Sequence, residues 1–119
     1  MSAPNLLLST SVTGKTAIAN VSTVSTNTIV NSTDSNSVYK INNITLTNYS
    51  ANTVFCNVVV SRSGIDYYYA NTMSVPQKTV FALLGKDTSF YLEENDSIRL
   101  DASANSSIHS FISYELMSA

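Results

Sequence analysis

The chain has one histidine, His109, so a search for catalysis begins there. In an extended segment Ser113 and Glu115 would lie on the same face as His109, which brings an imidazole, a hydroxyl and a carboxylate together. A Ser-His-acid set needs hydrogen bonds between its members. Same-face residues of one strand lie about 6.5–7 Å apart for each step of two, too far for such bonds. We therefore predict that the chain is not an enzyme and that His109 is a surface residue of a strand.

Three carboxylates stand close together at Glu93, Glu94 and Asp96. Clustered oxygen ligands can bind Ca²⁺, but acidic residues are also common in solvated turns. Glycoside hydrolysis would need paired carboxylates from opposite sides of a cleft. The scattered glycines do not form a phosphate-binding loop. We interpret the acidic segment as a solvated turn and predict neither a metal site nor a cofactor.

Cys56 is the only cysteine of the chain. A single cysteine excludes an intrachain disulfide and a cysteine-based metal cluster. Free cysteines behave as small apolar residues and are usually buried. We predict that Cys56 lies in the core.

Three consecutive tyrosines, Tyr67, Tyr68 and Tyr69, are the feature most suggestive of a function. Neighbouring side chains of a strand alternate, so Tyr68 should face away from the side that Tyr67 and Tyr69 share. Tyrosine is enriched in interfaces because it combines apolar area with a hydroxyl. Three interpretations stay open, which are a packed edge of a sandwich, a contact between subunits, and a platform on which a sugar stacks.

Short alternating segments must position these residues, because no segment has the apolar spacing of an amphipathic helix. Residues 89–117 contain three such segments, which we predict to be a three-stranded meander. Residues 38–48 alternate with a change of phase near Asn42 and Asn43, which a bulge would correct. Residues 54–60 are apolar enough for both faces of that strand to be covered.

Turn-forming residues separate the remaining strands. We predict two or three short strands within residues 9–31, with Gly14 as a turn, and a surface loop over the wholly polar residues 31–37. Residues 61–64 should form a hairpin turn, and residues 85–88 another turn.

This pattern predicts an all-β fold of eight or nine short strands without significant helix. The fold class is a two-sheet antiparallel β-sandwich, either jelly-roll or immunoglobulin-like. A chain of 119 residues is long enough to bury a single hydrophobic core, which corresponds to one domain. We predict an N-terminal arm over residues 1–8 and a single sandwich domain over residues 9–119.

Composition limits the classes of partner. Charged residues make up 12% of the chain and the formal net charge is -2. The six basic residues are scattered, whereas nucleic-acid binding needs them on one face. We therefore expect neither a nucleic acid nor a membrane as partner. The N-terminus lacks a signal-peptide pattern, and we expect a cytoplasmic product that leaves by assembly or lysis.

Two segments carry a resemblance to a known class of protein. Residues 91–117, YLEENDSIRLDASANSSIHSFISYELM, are similar to the closing segment of small all-β structural proteins of tailed phages. In that class an L-x-x-G/N-D-S-I-R-x-x-A-S hairpin leads to a final S-Y-E strand. Residues 40–64, KINNITLTNYSANTVFCNVVVSRSG, resemble a Val-rich strand pair of the same proteins. Asn95 stands where the pattern usually has glycine, and asparagine also adopts left-handed geometry.

The resemblance covers about half of the chain and is to virion proteins of contractile-tailed phages of marine cyanobacteria. It implies a non-enzymatic structural protein of the virion, assembled in the host cytoplasm, and we expect a capsid decoration or cement protein. A neck, tail or fibre component is one alternative. A carbohydrate-binding module that uses Tyr67 or Tyr69 is the other. The expected partners are further copies of the chain and the major capsid protein or another virion protein.

The low charge also predicts self-association, because charged side chains are what normally discourage edge strands from pairing. We predict a homo-oligomer, with a trimer favoured. Its contacts should use the tyrosine strand, residues 65–73, and the apolar part of the N-terminal arm. That apolar part is Leu6, Leu7 and Leu8.

Overall fold

A computed structural model describes residues 11–84 and 89–118, which form nine β-strands. The strands are β1 (Ser11–Val21), β2 (Thr26–Val30), β3 (Ser37–Asn48), β4 (Val54–Arg62), β5 (Ile65–Val75), β6 (Thr79–Leu84), β7 (Phe90–Leu92), β8 (Ser97–Ala102) and β9 (Ile108–Ser118). In this part of the chain no helix is long and apolar enough to cross a membrane. The predicted arm, residues 1–8, and the predicted turn at 85–88 lie outside the described residues.

The strands form two antiparallel sheets that pack face to face. The first sheet has the order β1-β9-β3, and both β6 and β7 pair with the far side of β3. The second sheet has the order β2-β8-β4-β5. The predicted all-β, two-sheet antiparallel sandwich is confirmed.

The pairing is that of one long hairpin folded over on itself. Along the hairpin β1 pairs with β9, β2 with β8, β3 with β7 and β6, and β4 with β5. Folding the hairpin then brings β9 beside β3 and β8 beside β4. This arrangement is the jelly roll, one of the two predicted topologies.

The predicted meander over residues 89–117 is wrong. Its three strands exist, but none pairs with another, because β7 pairs with β3, β8 with β2 and β4, and β9 with β1 and β3. Alternation within a strand identifies its buried face and carries no information about which strand lies beside it. In this folded-over hairpin β7, β8 and β9 alternate between the two sheets.

The core lies between the two sheets. Its largest fully buried apolar side chains come from both sheets: Ile41, Ile44, Leu46, Leu92, Ile98, Ile108, Ile112, Val54, Val58 and Val75. The predicted bulge in β3 is confirmed, since the register with β9 shifts between Ile41 and Asn43. The bulge lets Ile41 and Ile44, which are three residues apart, both point into the core.

The prediction that both faces of β4 are covered is confirmed in part. Val54, Cys56 and Val58 are buried on the core side. On the outer side Val59 is buried, whereas Phe55 is exposed. The outer face of β4 is therefore covered at Val59 but exposed at Phe55.

Two predicted turns have different outcomes. Ser63 and Gly64 both have positive φ, 55° and 75°, and join β4 to β5 as a two-residue hairpin turn. Positive φ at both positions suits the right-handed twist of the flanking strands. Gly14 does not form a turn, because it lies inside β1 and pairs with Glu115. Between residues 11 and 30 the chain forms one long strand and one short one, β1 and β2.

The predicted surface loop over residues 31–37 is partly buried. Asn31 is fully buried and Ser37 nearly so. The Asn31 side chain donates to the carbonyl oxygens of Ser37 and Leu92, both at 3.0 Å. A polar side chain can be buried without large cost when its hydrogen bonds are made, and polarity alone does not reveal this.

Candidate functional site

Strand β5 carries the three tyrosines and lies at the edge of the second sheet. Among the described strands it pairs with β4 alone. The register slips so that Val58 faces Ala70 and Val59 faces Tyr68, which leaves Tyr69 as an extra residue on β5. Such bulges redirect side chains at sheet edges. The chain thereby presents three neighbouring rings with exposures of 55%, 61% and 39% for Tyr67, Tyr68 and Tyr69.

The rings point to two sides of the sheet, as the alternation predicts. Tyr69 packs against Phe90 of β7, in the opposite sheet, with ring centroids 5.5 Å apart. Tyr67 lines a groove together with Phe90. Tyr68 pairs with Val59, whose neighbour Val60 lines that groove from the inner side. Tyr68 therefore lies on the outer face, opposite Tyr67 and Tyr69.

The groove runs along the open side of the sandwich between β5 and β7 and has a volume of about 600 Å³. Its lining is Val60, Arg62, Tyr67, Phe90, Tyr91 and Glu93. Three aromatic rings and one valine give it an apolar wall. Arg62 and Glu93 supply an ionic pair at the same groove.

Arg62 is held in place by two carboxylates. Its Nε donates to Oδ1 and Oδ2 of Asp96 at 3.0 Å each, and its Nη2 donates to Asp96 Oδ2 at 2.6 Å. The same Nη2 lies 3.1 Å from Glu93 Oε2. The Asp96 hydrogen bond, opposed by partial burial and aided by the charges of Asp96 and Glu93, raises the pKa of Arg62. The guanidinium is thus charged and fixed in orientation.

The acidic segment forms a turn, as predicted, but the expectation that this turn is solvated is wrong. Asp96 is fully buried and Glu94 is 5% exposed. Glu94 Oε2 accepts a hydrogen bond from the backbone N–H of Asn36 at 2.6 Å, and Asp96 Oδ2 accepts one from that of Glu93 at 2.8 Å. The segment packs against the loop that follows β2. Among the described residues no group of three or more His, Cys, Asp or Glu side chains is arranged to hold a metal ion.

The structure gives His109 and Glu115 separate partners. The His109 ring stacks on Tyr49 with centroids 4.3 Å apart. Glu115 Oε1 accepts a hydrogen bond from Asn42 Nδ2 at 3.2 Å. Both side chains are engaged in packing and hydrogen bonding on the outer face of the first sheet.

Cys56 lies in the core, as predicted, with 1% of its surface exposed. Burial, followed by the charge of Asp101, raises the pKa of its thiol from 9.0 to about 11. Because the thiolate is the nucleophile, we expect native protein to be inert to dithionitrobenzoate at pH 8, and urea-unfolded protein to react at once. Folding stability should also fall as the pH rises from about 9 to 11, since the unfolded thiol ionises first. Rapid labelling of the native protein would contradict this placement.

The outer strands of the sandwich carry few charges. Within β1, β2, β5, β6 and β7 the charged residues are Lys15 and Asp66. Large apolar side chains are exposed on all five of these strands: Val12 and Ile18 on β1, Val30 on β2, Ile65, Tyr67, Tyr68 and Tyr69 on β5, Val80 and Phe81 on β6, and Tyr91 on β7. Edges of this kind lack the charges that usually prevent pairing.

Sequence reasoning singled out the tyrosines and Glu93, but it did not bring them to one groove and it missed the other lining residues. Arg62, the last residue of β4, and Glu93, the residue after β7, are 31 positions apart and meet only in the folded chain. The aromatic pair Phe90–Tyr91 ahead of an acidic segment is the signal that could have indicated them. The proposed contact residues Leu6, Leu7 and Leu8 lie outside the described residues.

Comparison with known proteins gives a likeness of fold. No family model matches the chain, and no curated protein matches it significantly. A solved structure described as "Bacillus endospore appendages form a novel family of disulfide-linked pili" superposes with a TM-score of 0.55. The match covers all of this chain and 98% of the other, with 11% sequence identity. At that identity the likeness supports the sandwich fold alone.

Proposed function

We propose that the chain is a non-enzymatic structural subunit of a larger protein assembly, and that this assembly is a phage virion in which the chain decorates the capsid. The observation that carries the proposal is the exposed, nearly uncharged edge strand β5. It has eleven residues and pairs with β4 alone among the described strands. Its free side offers backbone groups and tyrosine rings to a neighbouring subunit.

The one charge on β5 does little to protect this edge. Asp66 accepts hydrogen bonds from Ser61 and Arg99, which lower its pKa, so its carboxylate is directed to the outer face of the sheet. The ring of Tyr68 on that face is 61% exposed. Burying such a ring between subunits removes a large apolar area from water while its hydroxyl keeps a polar contact.

The solved relative in fold is a pilus, which is an assembly of subunits. That description supports a structural role for the sandwich. Its disulfide linkage does not carry over through Cys56, because this thiol is buried and its pKa is raised to about 11. Copies of this chain would therefore not be joined by a disulfide through Cys56.

The two segments that resemble virion proteins supply the inner strands of both sheets. Residues 40–64 include most of β3 and all of β4, and residues 91–117 include β8 and most of β9. These four strands form the paired centres of the two sheets. The resemblance thus favours a shared scaffold, and the outer strands are where contacts specific to this chain would lie.

Mass spectrometry of purified particles tests the virion assignment. A decoration protein should be found at a copy number comparable to that of the capsid lattice. A few copies per particle would favour the alternative of a neck, tail or fibre component. Absence from the particle would contradict the proposal.

Sedimentation tests the proposed contact. We expect an oligomer, with a trimer favoured, at micromolar concentration, and we expect Tyr68→Ser to shift it toward monomer. Val80→Ser is a matched control, since Val80 is 64% exposed on the edge strand β6 of the other sheet. Deletion of residues 1–8 tests the contribution of the arm with Leu6, Leu7 and Leu8. A monomer in every variant, with unchanged rebinding to particles stripped of the protein, would contradict the proposed interface.

A further inference from the structure

The groove between β5 and β7 has the composition of a small-ligand site. Its volume of about 600 Å³ lies within the range of roughly 300–1,000 Å³ usual for such sites. Tyr67 and Tyr91 are 55% and 41% exposed, so their rings are available to a ligand. Mostly apolar walls with a few fixed polar groups are typical of sites in which the polar groups set orientation.

The charges at the groove favour an uncharged ligand. Arg62 contributes one positive charge, and Glu93 and Asp96 contribute two negative charges that are already bound to it. An anionic ligand would have to compete with these two carboxylates for the guanidinium. A cationic ligand would have to compete with the guanidinium for the same two carboxylates. A neutral ligand meets neither penalty.

The polar groups also argue against a purely apolar occupant. Nη1 of Arg62 donates to no other described residue, and the Glu93 side chain is 37% exposed. An apolar peptide segment that filled the groove would remove these groups from water without replacing their hydrogen bonds. Ligand hydroxyls would replace them, and charge-assisted hydrogen bonds of this kind are the stronger ones.

We propose that this groove binds a neutral saccharide. The apolar C–H face of a pyranose ring stacks on Tyr67 or Tyr91, and neighbouring hydroxyls accept from Arg62 Nη1 and donate to Glu93. Because two carboxylates hold Arg62 in place before the ligand arrives, little side-chain entropy is lost on binding. The inference does not depend on the proposed assembly, since Tyr68 faces the other side of the strand.

A glycan array of neutral, sialylated and uronic-acid oligosaccharides, followed by NMR titration with chitotriose, maltotriose and lactose, tests this site. We expect neutral oligosaccharides to bind and to shift the ring resonances of Tyr67, Phe90 and Tyr91. Tyr67→Ala and Tyr91→Ala should each weaken binding by about tenfold, the scale of a lost aromatic contact. Tyr49→Ala is the matched control, being a tyrosine of similar exposure to Tyr91 that lies outside both the groove and the proposed β5 contact, and it should leave affinity unchanged.

Four results would overturn the inference. The first is the absence of any neutral oligosaccharide that binds at millimolar concentration. The second is a preference for sialylated or uronic-acid glycans. The third is an equal loss of binding in Tyr49→Ala. The fourth is concentration-dependent broadening of the same ring resonances without sugar, which would assign the groove to a second copy of the chain. None of these results would alter the sedimentation test of the β5 contact.

Discussion

Replacing Asp96 by alanine should lower the free energy of unfolding by about 2–3 kcal/mol, because buried partners lose their hydrogen bonds. The Asp96 carboxylate has 1% of its surface exposed and binds both Nε and Nη2 of Arg62. It also accepts the backbone N–H of Glu93. Arg62 is 43% exposed and can recover hydration after the change, which keeps the loss below that of a fully buried ion pair.

Asp66→Ala provides the matched control. Asp66 also pairs with an arginine, Arg99, but on the exposed outer face of the second sheet. Exposed ion pairs contribute little because water and salt screen them. Urea unfolding followed by circular dichroism should therefore give a clearly lower midpoint for Asp96→Ala and a small change for Asp66→Ala. Equal shifts in the two variants would mean that the Asp96 pair is not the buried contact described above.

The position of Asp96 also links stability to the groove. Arg62 is oriented by Asp96 on one side and by Glu93 on the other. Without the Asp96 carboxylate only the Glu93 carboxylate would orient the guanidinium at the groove. The turn after β7 therefore both stabilises the fold and orients Arg62 at the groove.

The strands could be predicted from sequence where burial alone determines the pattern. In β3 the change of phase at Asn42 required a bulge, because only a bulge lets Ile41 and Ile44 both reach one core. In β8 the alternation of Ile98, Leu100 and Ala102 leads to the same face without interruption. These features depend on which residues avoid water, and that preference follows from the hydrophobicity of each side chain.

Strand neighbours could not be predicted in the same way. The meander was expected because β7, β8 and β9 follow one another through short turns, yet each finds its partners elsewhere. Pairing depends on contacts between residues such as Tyr39 and Leu92 or Lys15 and Tyr114, which are far apart in sequence. The groove depends on the same long-range pairing, so only its tyrosines could be anticipated.

The burial of polar residues could not be predicted from the sequence either. Asn31 stands in a segment without any apolar side chain, so a surface loop was the natural expectation. In the structure its backbone N–H donates to the Asp96 carbonyl at 2.9 Å, and its carbonyl accepts from Asn95 N–H at 2.7 Å. Asn95 has a φ of 72°, the left-handed geometry expected of it, which turns its N–H toward Asn31. Asn31 is thus a buried connection between two loops, whereas residues 32–34 and 36 of the same segment are exposed.

We expect Asn31→Ala to destabilise the fold by about 2–4 kcal/mol, because it leaves two buried carbonyls without their side-chain donors. Asn31 Nδ2 donates to Ser37 at the start of β3 and to Leu92 at the end of β7, so both strand ends lose a hydrogen bond. Asn31→Asp should be at least as harmful, since a carboxylate places a negative charge against the same carbonyl oxygens. Urea unfolding measures both changes.

Asn105→Ala is the control for this prediction, because Asn105 also joins distant parts of the chain. Its Oδ1 accepts the backbone N–H of Thr23 at 2.9 Å, but this contact is exposed and water can replace the lost acceptor. We expect its unfolding midpoint to move little, with an unchanged dependence on urea. If Asn31→Ala were as mild as Asn105→Ala, the two loops would not be held together by the Asn31 side chain. The ordering of Glu93 and Asp96 beside the groove would then come from the Arg62 ion pairs, the Glu94–Asn36 hydrogen bond and the backbone hydrogen bonds of Asn31.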